Sequence, residues 1–188
     1  APAIELKDAK IALVTSGGIV PVDNPDRIQS ASATRWGRYS IDKMDKLENR
    51  AEGAFKTIHA GYDPAAADAD PNVCVPLDAL RAYEKEGKIG SIHDYYYATV
   101  GTGTAEAEAK RMALEIIPHL IQDKVDAVIL TSCHLFTNAG VSKRLYVKIS
   151  CGAKGLFNIL LLKSSVRETY FCRRSPINLS LLVNKSAL

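Results

Sequence analysis

Long apolar runs are missing from this chain of 188 residues. No uninterrupted aliphatic stretch exceeds four residues, Ala127 to Leu130 and Ile159 to Leu162 being examples. A bilayer-spanning helix needs about 20 apolar residues in a row, so a membrane-crossing helix is excluded. The opening Ala-Pro-Ala-Ile-Glu-Leu-Lys has no basic segment followed by an apolar core, and no signal peptide is expected. An initiator Met is absent too, which leads us to expect a processed form or a piece of a longer chain. Cysteine is scarce and irregularly spaced, at positions 74, 133, 151 and 172. That argues against a disulfide framework and for a reducing, cytoplasmic setting. No Gly-x-Ser-x-Gly elbow and no Gly-Lys-Ser/Thr phosphate loop occur, so a serine hydrolase and a P-loop nucleotide site are not expected. Internal repeats and low-complexity segments are lacking as well. What is present, 47% hydrophobic and 24% charged residues, is ordinary globular composition and excludes disordered, collagen-like and coiled-coil chains.

Acidic residues are nearly absent from one part of the chain. Residues 1–132 hold 15 Lys/Arg and 20 Asp/Glu, whereas residues 133–188 hold 9 Lys/Arg and the single acid Glu168. The net charge therefore passes from −5 to +8 across one position, and three of the four cysteines lie beyond it. A basic tail can bind nucleic acid or a membrane surface. Here the basic residues are scattered among Leu, Ile, Val, Phe and Ser in runs no longer than two, so neither partner is expected. We divide the chain into residues 1–132, an α/β unit, and residues 133–188, a basic tail.

Lys10 to Thr15 is a short apolar run closed by Ser16-Gly17-Gly18, the pattern of a buried strand ending in a tight turn. Residues 19–75 are polar and rich in Asp, Asn, Pro and Ala, and predict an irregular excursion with one or two short helices. Pro76 to Glu86 predicts a helix, with Pro at its start and Gly87 just past its end. Ile92 to Val100, with three tyrosines, suits a strand. Ala105 to Gln122 is the clearest helix, with Ala109, Met112, Ala113, Ile116 and Leu120 on one face. Thr104 is the expected N-cap, and Pro118 is expected to kink the helix. Ala127 to Ser132 predicts another buried strand. Strands alternating with helices indicate an α/β fold, a parallel sheet of βαβ units whose ligand edge lies at the strand C-termini. The tail after residue 132 is expected to be irregular, disordered or an unreliable reading of the frame.

Three of these strands end in hydroxyl and glycine residues: Thr15 to Gly18, Thr99 to Thr104, and Thr131-Ser132. Ser16, Gly17, Gly18, Gly101, Thr102 and Gly103 are therefore candidate substrate-binding residues for an anionic group, although Gly and Thr also simply make turns. Gly101-x-Gly103 has Glu106 where a dinucleotide fingerprint has its third glycine. His59, His93, His119 and His134 show no metal-ligand spacing, and Asp63, Asp68 and Asp70 lack the partners of a calcium loop. No metal is expected. Cys74, between Val73 and Val75, reads as a small buried hydrophobe. Cys133 directly follows a buried strand at the expected ligand edge and is the candidate catalytic thiol.

Six segments carry a resemblance. Ile11-Ala-Leu-Val-Thr-Ser-Gly-Gly-Ile-Val-Pro21, Asn24-Pro-Asp-Arg-Ile28, His59-Ala-Gly-Tyr-Asp-Pro64, Tyr83-Glu-Lys-Glu-Gly-Lys-Ile-Gly90, Thr99-Val-Gly-Thr-Gly-Thr104 and Val125-Asp-Ala-Val-Ile-Leu-Thr-Ser132 together resemble the component B selenoprotein subunit of glycine, sarcosine and betaine reductases. The resemblance covers about residues 1–132 and implies the C-terminal part of a longer subunit. It implies an oxidoreductase that reductively cleaves a substrate C–N bond, in which a selenocysteine attacks the α-carbon and retains the carboxymethyl group. It also implies three partners: a component B subunit carrying a pyruvoyl group, selenoprotein A, and a small carboxylate-bearing amine as substrate. No cofactor is expected on this chain itself.

The family pattern after Thr-Ser is Thr-Sec-Gly-Thr-Cys, whereas this chain reads Cys133-His134-Leu135. Counted without a gap, selenocysteine falls at His134, and Cys133 replaces the residue before it. The departure coincides with the charge break, and we expect that the reading frame is lost near residue 133. As written, the chain is expected to be inactive alone. The alternatives are a non-catalytic carboxylate-binding module or a truncated product without function.

Overall fold

The computed structural model describes residues 5–52 and 54–131, together with the backbone of a strand at 158–161. Among the described residues, besides three short 3-10 turns, the strands and α-helices follow in this order: β1 (Lys10–Thr15), β2 (Ile19–Pro21), β3 (Gly37–Ser40), β4 (Phe55–Thr57), α1 (Ala65–Ala69), α2 (Leu77–Lys85), β5 (Ser91–Ala98), α3 (Glu106–Gln122), β6 (Ala127–Thr131) and β7 (Asn158–Leu161). The main sheet has the order β3-β5-β1-β6-β7. β5, β1, β6 and β7 are parallel, and β3 joins the edge antiparallel to β5. β2 and β4 form a separate antiparallel pair.

β1 is central, which explains its composition. Ile11 and Leu13 enter the larger core with Ile92, Tyr96, Ala98, Ala127 and Ile129, while Ala12 faces the other side with Tyr97, Val128, Ile116 and Leu120. A strand buried on both faces has no polar side to show, so its sequence reads as a continuous apolar run. β5 carries an irregularity: Ile11 pairs with Ile92 but Leu13 pairs with Tyr96, so four steps of β5 oppose two of β1.

α3 covers the second face with Ala109, Met112, Ile116 and Leu120, as the helical spacing predicts. It runs through Pro118. That residue and Leu114, whose carbonyl loses its donor, are both exposed, so water can take the missing partner's place. Thr104 does not cap the helix. Ala105 occupies that position without a side-chain bond, because the Thr104 hydroxyl is used in the preceding turn, donating to the Val100 carbonyl at 2.7 Å and accepting from Ala33 N–H at 2.9 Å.

α2 ends as its sequence predicts. Gly87 has φ +68°, Gly87 N–H donates to the Glu84 carbonyl and Lys88 N–H to the Tyr83 carbonyl, the paired bonds of a Schellman ending. The excursion over residues 19–75 is more ordered than expected. It contributes β2, β3 and β4, and β3 extends the main sheet. These strands have only three or four residues each and are defined by distant partners rather than by their own periodicity. Within residues 133–188 the described segment is β7, Asn158–Leu161, which pairs in parallel with Ala127 to Leu130.

Two outcomes are expected. No atom lies within 4 Å of the position of a Cβ at Gly87, so Gly87→Ala meets only the left-handed backbone penalty. It should lower unfolding stability by about 1 kcal/mol in urea titrations, and an unchanged midpoint would refute this reading. His93 is buried, with Nε2 3.4 Å from Tyr97 Oη and 3.5 Å from Asp123 Oδ2. Burial pushes its pKa below the ordinary histidine value; Arg38 and Lys10 act in the same sense, and Asp123 and Asp94 oppose it. The unfolded chain therefore takes up the proton first. The stability associated with neutral His93 is complete above about pH 6.5 and declines as the pH falls below it. His93→Gln should flatten that decline between pH 7.5 and 5.5, and equal slopes in both proteins would exclude His93 as its source.

Candidate functional site

The C-terminal ends of β5, β1 and β6 meet at one edge, and four loops close over it. Ser16 N–H donates to the Thr131 carbonyl at 3.0 Å, joining the β1 turn to the end of β6. Gly18 N–H donates to the Thr99 carbonyl and Gly101 N–H to the Ser16 carbonyl, joining it to the β5 turn. Ile58 N–H donates to the Gly18 carbonyl, bringing in the segment after β4. Ser32 N–H donates to the Thr102 carbonyl at 2.8 Å, and Ala60 N–H to the Ser30 carbonyl at 2.9 Å, so residues 30–33 complete the group.

Glycine is required where these backbones touch. Gly18 has φ +71°, and a Cβ there would lie 3.0 Å from His59 and Val100. Gly101 packs on Ser16, where a Cβ would meet the side chain at 3.1 Å. Gly103 has φ +66°, beside Ser32. These are close approaches that no side chain can occupy without displacing a neighbour.

The six candidate substrate-binding residues are thus brought together, but several of their N–H groups are already used. Ser16, Gly18 and Gly101 donate to carbonyls, and Gly17 N–H donates to Thr15 Oγ1 at 3.0 Å. These amides hold the loops to one another. The side chains of Ser16 and Thr102, both half-buried, are the hydroxyls this edge can offer an anionic group. Cys133 lies outside the described residues. Thr131, two positions before it, is held by a hydrogen bond from its Oγ1 to the Cys74 carbonyl at 2.6 Å.

Two residues at this edge were not singled out from the sequence as site residues. His59 is 4% exposed, stacks on Tyr62 with centroids 4.6 Å apart, and accepts Gly61 N–H on Nδ1 at 3.0 Å. Tyr62 donates its hydroxyl to the Gly17 carbonyl at 2.6 Å, and Thr57 Oγ1 lies 2.7 Å from the same hydroxyl. Burial raises the Tyr62 pKa above that of an ordinary phenol, so it remains a donor. Their only signal in the sequence was the segment His59 to Pro64, since nothing local shows that an isolated His reaches a strand edge.

Asp63 and Asp70 accept from Ala65 N–H and Asn72 N–H as turn and cap groups, and Asp68 accepts from Thr57 N–H, tying α1 to β4. Among the described residues no group of three or more His, Cys, Asp or Glu side chains is placed to hold a metal ion. Among those residues, too, no helix is long and apolar enough to cross a membrane. Cys74 is buried, at 3% exposure, as a small apolar residue should be.

Fold and edge together define a class: an α/β unit whose glycine-rich loops are tied across the C-terminal ends of parallel strands. The chain belongs to the glycine/sarcosine/betaine reductase selenoprotein B family, whose model matches residues 1–133. It is 70% identical over 132 residues to the betaine reductase complex component B subunit beta of Peptoclostridium acidaminophilum, covering 70% of this chain and 30% of that protein. It is 50% identical over 132 residues to the sarcosine reductase complex component B subunit beta of the same organism, again 70% of this chain and 30% of the relative. It is 42% identical over 184 residues to the glycine reductase complex component B subunit gamma of Symbiobacterium thermophilum, covering 98% of this chain and 39% of the relative. The chain thus spans about a third of the length of these relatives. No solved structure matches.

Proposed function

We propose that this chain is part of a component B subunit acting in reductive cleavage of the C–N bond of betaine. The observation that carries the substrate is graded identity. Over 132 residues the chain is 70% identical to the betaine reductase relative, against 54% for a glycine reductase relative from Carboxydothermus hydrogenoformans and 50% for the sarcosine reductase relative. In this reading the loops at 15–18 and 99–104 receive the substrate carboxylate. Its oxygens are met by the Ser16 and Thr102 hydroxyls, while the tied backbone fixes where those hydroxyls point. The attacking group belongs immediately after Ser132, at the end of the strand that Ser16 N–H and Cys74 hold in place.

The family resemblance supplies a selenocysteine for that role, a pyruvoyl group on a companion subunit and transfer to selenoprotein A. This sequence contains no selenocysteine, and Cys133 is its thiol at that point. A neutral-pH thiol is a weaker nucleophile than a selenolate, so the chain as written is inactive or nearly so. The family match ends at residue 133, where the acidic residues also cease. That coincidence supports a lost reading frame. A second reading, a genuine tail, is favoured by the 184-residue alignment with the Symbiobacterium relative, which continues beyond the break.

Resequencing codons 125–145 tests the frame. An in-frame UGA codon at the nucleophile position supports the misread selenoenzyme, and one clean frame through Cys133 supports the genuine tail. The full-length subunit from the verified gene, assembled with its companion subunits, should then release trimethylamine from betaine faster than methylamine from sarcosine or ammonia from glycine. Preference for either other amine would overturn the substrate assignment. If Cys133 is the nucleophile, Cys133→Ala abolishes the residual turnover, and equal turnover in both proteins removes it from that role.

A further inference from the structure

We propose that the cleft between the loop at 26–36 and α3 binds a small zwitterion, Arg35 taking its carboxylate and Asp26, with the Trp36 indole, its ammonium. The inference rests on the reading that this chain handles a carboxylate-bearing amine, and adds to it a second site beside the strand edge.

The cleft has a volume of about 310 Å³ and is lined by Asp26, Thr34, Arg35, Trp36, Arg111 and Glu115. That is the lower end of the range for small-molecule pockets and suits a ligand of few heavy atoms. Two of its four charged residues neutralise each other. Arg111 pairs with Glu115 and with Glu108, and Glu115 also accepts the Trp36 indole N–H at 2.8 Å. The other two are not neutralised. Among the described residues neither Asp26 nor Arg35 forms an ion pair, with each other or with a third residue. Arg35 makes a 3.4 Å contact from Nη1 to the Arg27 carbonyl. Asp26 Oδ2 lies against Gly37 beside the Tyr39 hydroxyl. One cation and one anion thus line the same small space without pairing. A molecule carrying both charges satisfies both, whereas a simple anion at Arg35 is repelled by Asp26 and a simple cation at Asp26 by Arg35.

The walls are held in place. Asn24 has φ +44° and Arg27 φ +50°, a region that non-glycine residues seldom occupy. The Asn24 side chain closes this turn, accepting Ile28 N–H and donating to the Ile28 carbonyl, both at 3.0 Å. Asp26 is therefore displayed from a fixed tip. Backbone held in this way by its surroundings is a feature of ligand clamps. The Arg35 carbonyl accepts the Thr99 hydroxyl at 2.9 Å, and Arg111 Nη2 donates to the Thr34 carbonyl, so the loop is tied to β5 and to α3. Trp36 packs on Tyr97 and His119, with centroids 6.0 and 5.8 Å apart. An indole is the best aromatic neighbour for an alkylated ammonium. The bond from Ser32 N–H to the Thr102 carbonyl joins the same loop to the strand edge, which places the cleft next to the candidate hydroxyls.

The test is equilibrium binding to the full 188-residue chain, with betaine and glycine as probes and acetate and tetramethylammonium as half-ligands. We expect saturable binding of the zwitterions that weakens about tenfold in Arg35→Gln and in Asp26→Asn, as loss of a charge-assisted contact does. Arg35→Lys, which keeps the charge, should recover part of it. Each half-ligand should bind about tenfold more weakly than betaine or worse. Ser16→Ala and Thr102→Val, at the strand edge, should leave this binding unchanged. Asp26 and Arg35 are exposed, so their variants should keep the parent urea midpoint. Binding that is lost in Thr102→Val but kept in Arg35→Gln and Asp26→Asn would belong to the edge and overturn the proposal. Acetate binding as tightly as betaine, or no saturable binding at all, would overturn it as well. Turnover of an amine by the assembled full-length subunit without binding at the cleft refutes this inference and leaves the reductase reading standing. Binding at the cleft without turnover of any of the three amines does the reverse.

Discussion

Parallel pairing of β1 with β5 on one side and β6 on the other is the constraint from which the site follows. β1 is hydrogen-bonded along both edges and its side chains enter cores on both faces. A strand so enclosed can reach solvent only at its ends. Because its neighbours run in the same direction, their C-termini emerge together, and the residues just beyond them must accommodate one another. Gly18 and Gly101 are the consequence, since any Cβ there meets a neighbouring loop at about 3 Å. The crowding of glycines at this edge is thus a packing requirement before it is a functional one.

That order of causes bears on what the turns can bind. Backbone N–H groups at the end of a parallel strand invite comparison with anion-binding loops. Here the amides of Ser16, Gly18 and Gly101 are spent in joining β1, β5 and β6, and that of Gly17 within the β1 turn on Thr15 Oγ1. Their role is to hold the turns in place, so in the proposed reading recognition falls to side chains. Ser16 and Thr102 are the candidate hydroxyls that this frame holds at the edge. The Tyr62 hydroxyl serves the frame, because it is taken up by the Gly17 carbonyl.

The parts of the fold legible in the sequence were those with local signals. β1 and β6 show apolar runs because parallel strands are covered on both faces, and β5 shows three tyrosines. α2 shows Pro and Gly at its ends, and α3 shows a clean stripe at three- and four-residue steps. β2, β3 and β4 were not legible: Gly37-Arg-Tyr-Ser40 is a strand only because β5 presents a free edge opposite it. The Thr104 cap failed for a related reason, since its hydroxyl had a competing partner in Ala33, 71 residues away. The candidate hydroxyl and glycine residues were legible as turn residues, but the use of their amides was not. His59 could not be placed at all, because its position depends on the Ile58–Gly18 bond, and nothing near it in sequence encodes that bond.

The edge of β6 sets a limit on what the charge break means for the fold. β6 ends the covalently local part of the sheet, and an uncovered parallel edge would leave a row of backbone groups unpaired. Asn158–Leu161 pairs with it in register from Ala127 to Leu130. A backbone ladder of four residues asks little of sequence beyond extended conformation and the absence of proline, because its bonds are made by groups every residue shares. Such a strand is therefore compatible with a tail selected for this fold and with a tail read in another frame. The proposed catalysis is more demanding than pairing: in that reading it needs a particular nucleophile just after Ser132, near the candidate residues Ser16 and Thr102. The same break that leaves the sheet intact can thus remove the chemistry, which is why the edge loops, conforming to the family pattern through Ser132, and the residues after them have to be judged separately.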